Sequence, residues 1–207
     1  MMSLRALAAL LLGGLLSFQA WALDEGIDYT VLPNPQPTET GNQIEVLEVF
    51  MYSCPHCFHL EPTIEQWLRT KPANVSFRRM PAVFNPKPDL QARAFYAAEL
   101  LGAEPKFTPA MFDAIHVKKQ KITDEDGVVA VAEGAGIDGA EFRKALNSFD
   151  VHMKVNRARN ATSSYGVDGV PAVIINGKYR TSPAQATSRE GMVKVMDQLI
   201  AKESGGS

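Results

Sequence analysis

Ile44-Glu45-Val46-Leu47-Glu48-Val49-Phe50-Met51-Tyr52-Ser53-Cys54-Pro55-His56-Cys57 is the stretch on which the reading of this chain turns. Ile44 to Met51 is an apolar run of strand composition, and downstream Leu60, Ile64, Trp67 and Leu68 recur at helical spacing. Cys54 and Cys57, the only two cysteines in the chain, therefore fall at a strand-to-helix junction, with both sulfurs on the first turn of a helix. At a helix N-terminus the unpaired N–H groups and the helix dipole favour negative charge, so the sulfur of Cys54 is expected to ionise more readily than a free thiol. A thiolate is the attacking species in disulfide exchange, and the pair reads as redox chemistry.

Three other uses of the pair are weaker. As a structural staple it would close a loop of four residues, which removes about 2 kcal/mol of unfolded-state entropy against about 5 for a loop of roughly a hundred. As a metal site, Cys54, His56, Cys57 and His59 crowd four donors into one helical stretch, where they cannot surround an ion tetrahedrally. Covalent haem attachment needs a histidine directly after the second cysteine, where this chain has Phe58.

The N-terminus suggests the compartment. Met1 to Ser3 and Arg5 make a short, weakly basic start, Ala6 to Leu16 is an apolar core, and Ala20-Trp21-Ala22 is a small-x-small cleavage site. Residues 1–22 are thus predicted to be a signal peptide cleaved after Ala22. The competing reading, an uncleaved membrane anchor, is disfavoured because the run is too short to span a bilayer comfortably, and nothing later approaches about 18 consecutive apolar residues. No cysteine follows the cleavage site, which argues against a lipid anchor. Export, in a Gram-negative cell to the periplasm, places the thiols where disulfides form and persist.

Cleavage would leave 185 of the 207 residues, enough for one large domain or a smaller one with an insertion. The leader carries Arg5 and no acidic residue, so the mature balance is 20 basic against 23 acidic residues, a formal charge of −3. Near-neutral charge argues against nucleic acid as a partner. The basic clusters Arg78-Arg79, Lys118 to Lys121 and Arg157 with Arg159 read as solvated faces.

Ile27 to Leu32 suggests a short strand before the extended connector enforced by Pro33, Pro35 and Pro37. The strand from Ile44 and the cysteine helix follow, the latter interrupted by Pro62, which is expected to bend it. Val75 to Met80 reads as a second central strand, ended by Pro81 and the loop Asn85-Pro86-Lys87-Pro88. Leu90, Ala94, Ala97 and Leu101 then mark a helix stopped at Gly102, and Met111 with Ile115 another. Thr123 with Asp126 and Asp138 with Glu141 resemble capping boxes for helices over Val128 to Ala135 and Phe142 to Phe149. A longer helix is predicted from about Val151 to Tyr165. Pro171 to Ile175 has strand composition, Asn176-Gly177 makes a hairpin turn into Lys178-Tyr179-Arg180, and Thr187 with Glu190 caps a last helix. Ser204 to Ser207 reads as a flexible tail.

The order is strand, strand, cysteine helix, strand, a helical block, a connecting helix, a hairpin and a final helix. Together with the export signal, Cys54-Pro55-His56-Cys57 and Gly169-Val170-Pro171, it resembles the thioredoxin-fold disulfide oxidoreductases of the DsbA family over essentially the whole mature chain. The resemblance implies an α/β architecture, a thioredoxin fold with an inserted helical domain. Residues 23–82 and 151–203 would form the thioredoxin-like part, 83–150 the insertion and 204–207 the tail. The Pro-rich loop at Asn85 is not part of the resemblance.

The resemblance also implies roles. Cys54 matches the exposed attacking cysteine and Cys57 the buried resolving one. Pro55 and His56 fill the dipeptide that tunes the pair, and His56 can stabilise a Cys54 thiolate by charge or hydrogen bonding. A stabilised thiolate is a good leaving group and favours the reduced enzyme, so the disulfide would be a strong oxidant. Pro171 matches a cis-proline facing the cysteines, leaving the carbonyl and amide of Val170 free to pair with an extended substrate peptide. Reduced, unfolded exported proteins would be substrates, a membrane quinone reductase of the DsbB type the reoxidising partner, and the enzyme a monomer with no bound cofactor.

Glu48 is informative in its own right. Alternation places it with Ile44, Val46 and Phe50 on one face of a strand covered on both sides, where a carboxylate is costly without a partner or a proton. It matches the family's buried acid and is expected either to relay protons for Cys57 or to be a salt-bridged edge carboxylate, with Arg79 as a counter-charge. His59, His116 and His152 read as surface or packing residues. A reductase or isomerase would use the same cysteines held reduced, although no separate dimerisation domain is evident, and a non-catalytic chaperone would use only the Val170-Pro171 groove.

Overall fold

The computed structural model describes residues 23–85 and 89–205. The predicted signal peptide, Pro86 to Pro88 and the last two residues of the predicted tail, Gly206 and Ser207, lie outside them. Among the described residues no helix is long and apolar enough to cross a membrane.

Among the described residues five strands form one sheet: β1 (Thr30–Val31), β2 (Ile44–Phe50), β3 (Val75–Pro81), β4 (Ala172–Ile175) and β5 (Tyr179–Thr181), in the order β1-β5-β4-β2-β3. β2 is an interior strand and buried at all seven positions, its two glutamates Glu45 and Glu48 included. It runs parallel to β3 and antiparallel to β4. The return from β4 to β5 is a tight turn in which Asn176 and Gly177 both take positive φ, at 50° and 64°.

Helix α1 (Pro55–Leu68) crosses from β2 to β3, with Pro62 inside it. Between β3 and β4 come α2 (Leu90–Leu100), α3 (Glu104–Phe112), a π-helical turn (Asp113–Val117), α4 (Glu125–Gly134), α5 (Gly139–Leu146) and α6 (Phe149–Ser164). Helix α7 (Arg189–Gly205) is the last element described and takes in Ser204 and Gly205, which the sequence reading places in the tail. Two apolar clusters flank the sheet. On one face Leu60, Ile64 and Trp67 of α1 meet Met192, Met196 and Leu199 of α7 over Val46 and Val173. On the other, Leu47 and Val49 face the large cluster built with α2 to α6.

Several expectations are corrected. β3 is an edge strand, not a central one, and its middle residues Ser76 to Arg79 are only partly buried. Phe50 joins the cluster of α2 and α3, edge-on to Tyr52 and Phe95, not the face of Val46. The strand at Ile27 to Leu32 shrinks to Thr30–Val31. Asp124, not Thr123, caps α4 by accepting from the Gly127 amide. Ser188, not Thr187, accepts from the Gly191 amide at the start of α7. Phe149 belongs to α6, which Ser148 caps. The caps predicted at Asp138 and the stop at Gly102 are present, the latter with φ of 64°.

Candidate active site

β2 ends at Phe50, and Met51-Tyr52-Ser53 turns the chain into α1, closed by the Cys54 amide donating to the Met51 carbonyl at 3.1 Å. Cys54 is the N-cap of α1, extended at φ −83°, and Pro55 begins the helix, where its missing N–H costs no hydrogen bond. The helix brings Cys57 back beneath Cys54. Cys54 is half-buried and Cys57 has no exposed surface; both are free thiols. Burial pushes the Cys57 thiol well above its ordinary range, and the charges of Cys54 and Glu48 act in the same direction.

The cis bond between Val170 and Pro171 sets that loop against the cysteines. The Cys54 Sγ lies 3.4 Å from the Val170 carbonyl oxygen, to which it donates. The carbonyl that the family resemblance left free is therefore engaged by the thiol. Beside the contact runs a groove of about 760 Å³ that includes His56, Asp168, Val170, Pro171, Arg180 and Arg189. His59 also lines it, so this histidine, expected to be a bystander, stands at the same opening as His56.

Glu48 sits below, fully buried on central β2, in register with Arg79 of β3. Arg79 donates through Nε to Glu48 Oε2 at 3.0 Å, through one Nη to Glu61 Oε2 at 3.0 Å, and through the other to Glu104 Oε1 at 3.4 Å. Glu48 is thus ion-paired, but on a central strand and not at an edge. Three carboxylates face one guanidinium, and Glu48 Oε1 and Glu61 Oε1 are buried without a hydrogen-bond partner among the described residues. Burial holds the Glu48 carboxyl above its usual range, with Arg79 opposing the shift. The Glu61 carboxyl is pushed up to about 8, by burial first and then by the charge of Glu48. Such a cluster retains protons that an exposed one would release.

Sequence reading located Cys54, Pro55, His56, Cys57, Glu48, Val170 and Pro171, and the fold brings the cysteines together with Val170. It missed Glu61 and Glu104. Glu61 follows Cys57 by one helical turn, which is the signal that would have placed it under the site. Among the described residues no His, Cys, Asp or Glu side chains gather in a group of three that would hold a metal ion.

Comparison with known proteins agrees with this arrangement. The family model of the DSBA-like thioredoxin domain matches residues 89–190. The thiol:disulfide interchange protein DsbA of Burkholderia cepacia is 37% identical over 191 residues, 92% of this chain and 90% of its own. That of Azotobacter vinelandii is 38% identical over 178 residues, 86% and 83% of the two chains. Among solved structures, DsbA of Pseudomonas aeruginosa superposes with a TM-score of 0.82 at 35% identity, covering 87% of this chain and 94% of that one. DsbA of Xylella fastidiosa gives a TM-score of 0.80 at 30% identity, covering 86% and 96%. With the paired cysteines at the start of α1, the cis-proline loop before β4 and the buried acid on β2, the chain belongs to the DsbA family of thioredoxin-fold thiol:disulfide oxidoreductases.

Proposed function

We propose that the Cys54-Cys57 disulfide of this oxidoreductase is donated to reduced exported proteins, promoting their oxidative folding. The observation that carries the assignment of roles is the asymmetry of the pair: Cys54 is reachable and touches the Val170 carbonyl, whereas Cys57 is sealed beneath it. A substrate thiolate attacks Cys54 Sγ, the Cys54–Cys57 bond breaks, and Cys57 leaves as a thiolate. A second substrate thiol, losing its proton, attacks the substrate sulfur of the mixed disulfide and expels Cys54. The substrate gains one disulfide and loses two electrons and two protons; the enzyme becomes the dithiol.

Burial makes the Cys57 thiolate an unfavourable end state, so its departure needs a proton. Glu48 is the group proposed to hold and supply it, with Arg79 and Glu61 setting how tightly. Pro55 starts α1 in the right direction, and His56, exposed beside Cys54, tunes its sulfur. Val170 and Pro171 present backbone to an extended substrate segment, which replaces the Cys54 thiol at the Val170 carbonyl when the mixed disulfide forms. Residues 83–150 act as an inserted helical domain over the thioredoxin-like part.

The same reading assigns reoxidation to a membrane quinone reductase of the DsbB type, action as a monomer without a bound cofactor, and a periplasmic location reached through cleavage after Ala22. The test is the loss of free thiols from a reduced dithiol peptide mixed with oxidised protein. Wild-type protein is expected to consume them stoichiometrically and Cys54→Ser not at all. A reduction potential in graded glutathione buffers as low as that of a thioredoxin-type reductant would overturn the oxidase direction.

A further inference from the structure

The peptide unit joining Tyr52 to Ser53, directly before Cys54, is held at both ends by side chains from the helical block. The Tyr52 carbonyl lies 2.7 Å from His116 Nε2. A carbonyl only accepts, so the imidazole donates through Nε2. On the other end, the Ser53 amide donates to Gln91 Oε1 at 3.1 Å. The Tyr52 ring is fixed as well: it is buried, its hydroxyl lies 2.9 Å from Thr108 Oγ1, and Phe107 and Phe112 pack edge-on against it. Two helical elements that carry neither cysteine, α2 and the π turn, hold the peptide, and a third, α3, holds the Tyr52 side chain.

His116 makes a second contact with the same site. Its ring stacks nearly flat on Phe58, with centroids 4.9 Å apart and planes 12° from parallel. Phe58 directly follows Cys57, so one imidazole touches the chain both before and after the cysteine pair. It reaches this position from the π-helical turn Asp113–Val117, closed by the Lys118 amide donating to the Asp113 carbonyl at 2.9 Å. A π turn inserts an additional residue and re-aims the side chains it carries, a device common at functional sites.

We propose that His116 and Gln91 are positioning residues for disulfide exchange, fixing the Tyr52–Ser53 peptide and thereby the place of Cys54 Sγ against Val170. The inference rests on the exchange chemistry proposed above. The contact with the Val170 carbonyl at 3.4 Å needs the S–H of Cys54 as donor, which the dithiol has and the disulfide lacks. Groups that hold this arrangement favour the dithiol over the disulfide, since the disulfide demands its own sulfur placement. Loosening them makes the disulfide easier to keep and the protein a weaker oxidant.

The test measures the equilibrium between reduced and oxidised protein against the glutathione couple. His116→Phe keeps a ring to stack on Phe58 but loses the donor; His116→Gln keeps a donor; Gln91→Leu removes the acceptor at the far end. His116→Phe and Gln91→Leu are each expected to move the equilibrium toward the disulfide by about three- to tenfold, the scale of one net hydrogen bond. His116→Gln is expected to stay within about twofold of wild type on the same scale. Gln91 is half-buried, so Gln91→Leu decides the question should His116→Phe not fold. Folded variants with the wild-type equilibrium overturn the clamp. A wild-type protein that fails to oxidise a dithiol peptide overturns the exchange reading instead, and running it alongside separates the two failures.

Discussion

Cys54 Sγ and the Val170 carbonyl oxygen stand 3.4 Å apart although 116 positions separate the two residues in the chain. The contact leaves Cys54 partly open while Cys57 lies closed beneath it, and this difference predicts how single cysteine variants trap a partner. Cys57→Ser is expected to accumulate a stable mixed disulfide with oxidised glutathione at Cys54, seen as one adduct by mass spectrometry. Cys54→Ser should form the adduct at Cys57 at least about a hundredfold more slowly, because reactivity follows thiolate character and access. Comparable rates would remove the division of roles.

Glu48→Gln keeps an acceptor for Arg79 and abolishes the titrating proton. Single-turnover oxidation of a dithiol peptide is expected to slow by on the order of 10²-fold, the low end of general acid–base effects. Alkylation of Cys54 in the reduced protein should stay unchanged. An unaffected turnover would leave Glu48 a structural ion-pair member only.

Glu61 gives a pH signature. Its carboxyl is held up to about 8 in the fold against an ordinary 4.5, so between these values the folded state retains a proton that the unfolded chain has released. Its contribution to stability is therefore full below about 4.5 and is lost as pH rises through about 8. Glu48, shifted in the same direction, adds to the slope. Urea midpoints should fall from pH 5 to pH 8, and Glu61→Gln should flatten the profile. A midpoint that rises over this range would contradict the proton inventory.

Arg79 is the cation shared by Glu48, Glu61 and Glu104 among the described ion pairs. Arg79→Met leaves these carboxylates without it and is expected to cost about 3–5 kcal/mol at pH 7, the scale of breaking a buried pair from one side. The loss should shrink at pH 5, where protonated glutamates need no partner, as read from denaturant midpoints at both pH values.

The redox half of the site was legible because its residues are adjacent in the chain or break a local rule. Cys54 and Cys57 share one turn, and Glu48 is a charge inside an apolar strand. Arg79 was readable as a neighbour only through its strand, since the pairing Glu48 with Arg79 depends on register. Glu61 looks like any solvated helix residue beside Pro62 and Glu65; it is half-buried because Arg79 pairs with it and with the first residue of α3, Glu104. His116 reads from the sequence as a surface or packing residue because a π turn changes the phase by which a helix face is read. The misplaced caps have one cause: Thr123-Asp124 and Thr187-Ser188 each offer two capping side chains in a row, and only the second reaches the amide three residues on. Phe50 defied alternation at the end of its strand, where Phe95 and Phe112 draw it to the other cluster.

The edge position of β3 has a bearing on how such a protein survives among unfolded chains. An open strand is a template for any extended polypeptide, and charged side chains or extreme brevity are what discourage such pairing. Here one border of the sheet carries Arg78 and Arg79, committed to glutamates on β2 and beyond, and the other border, β1, is two residues long. Under the proposed function, an extended client would be steered away from the borders, where adding a strand would lead to aggregation, and toward Val170, where lying alongside the backbone would lead to a sulfur it can exchange with and leave.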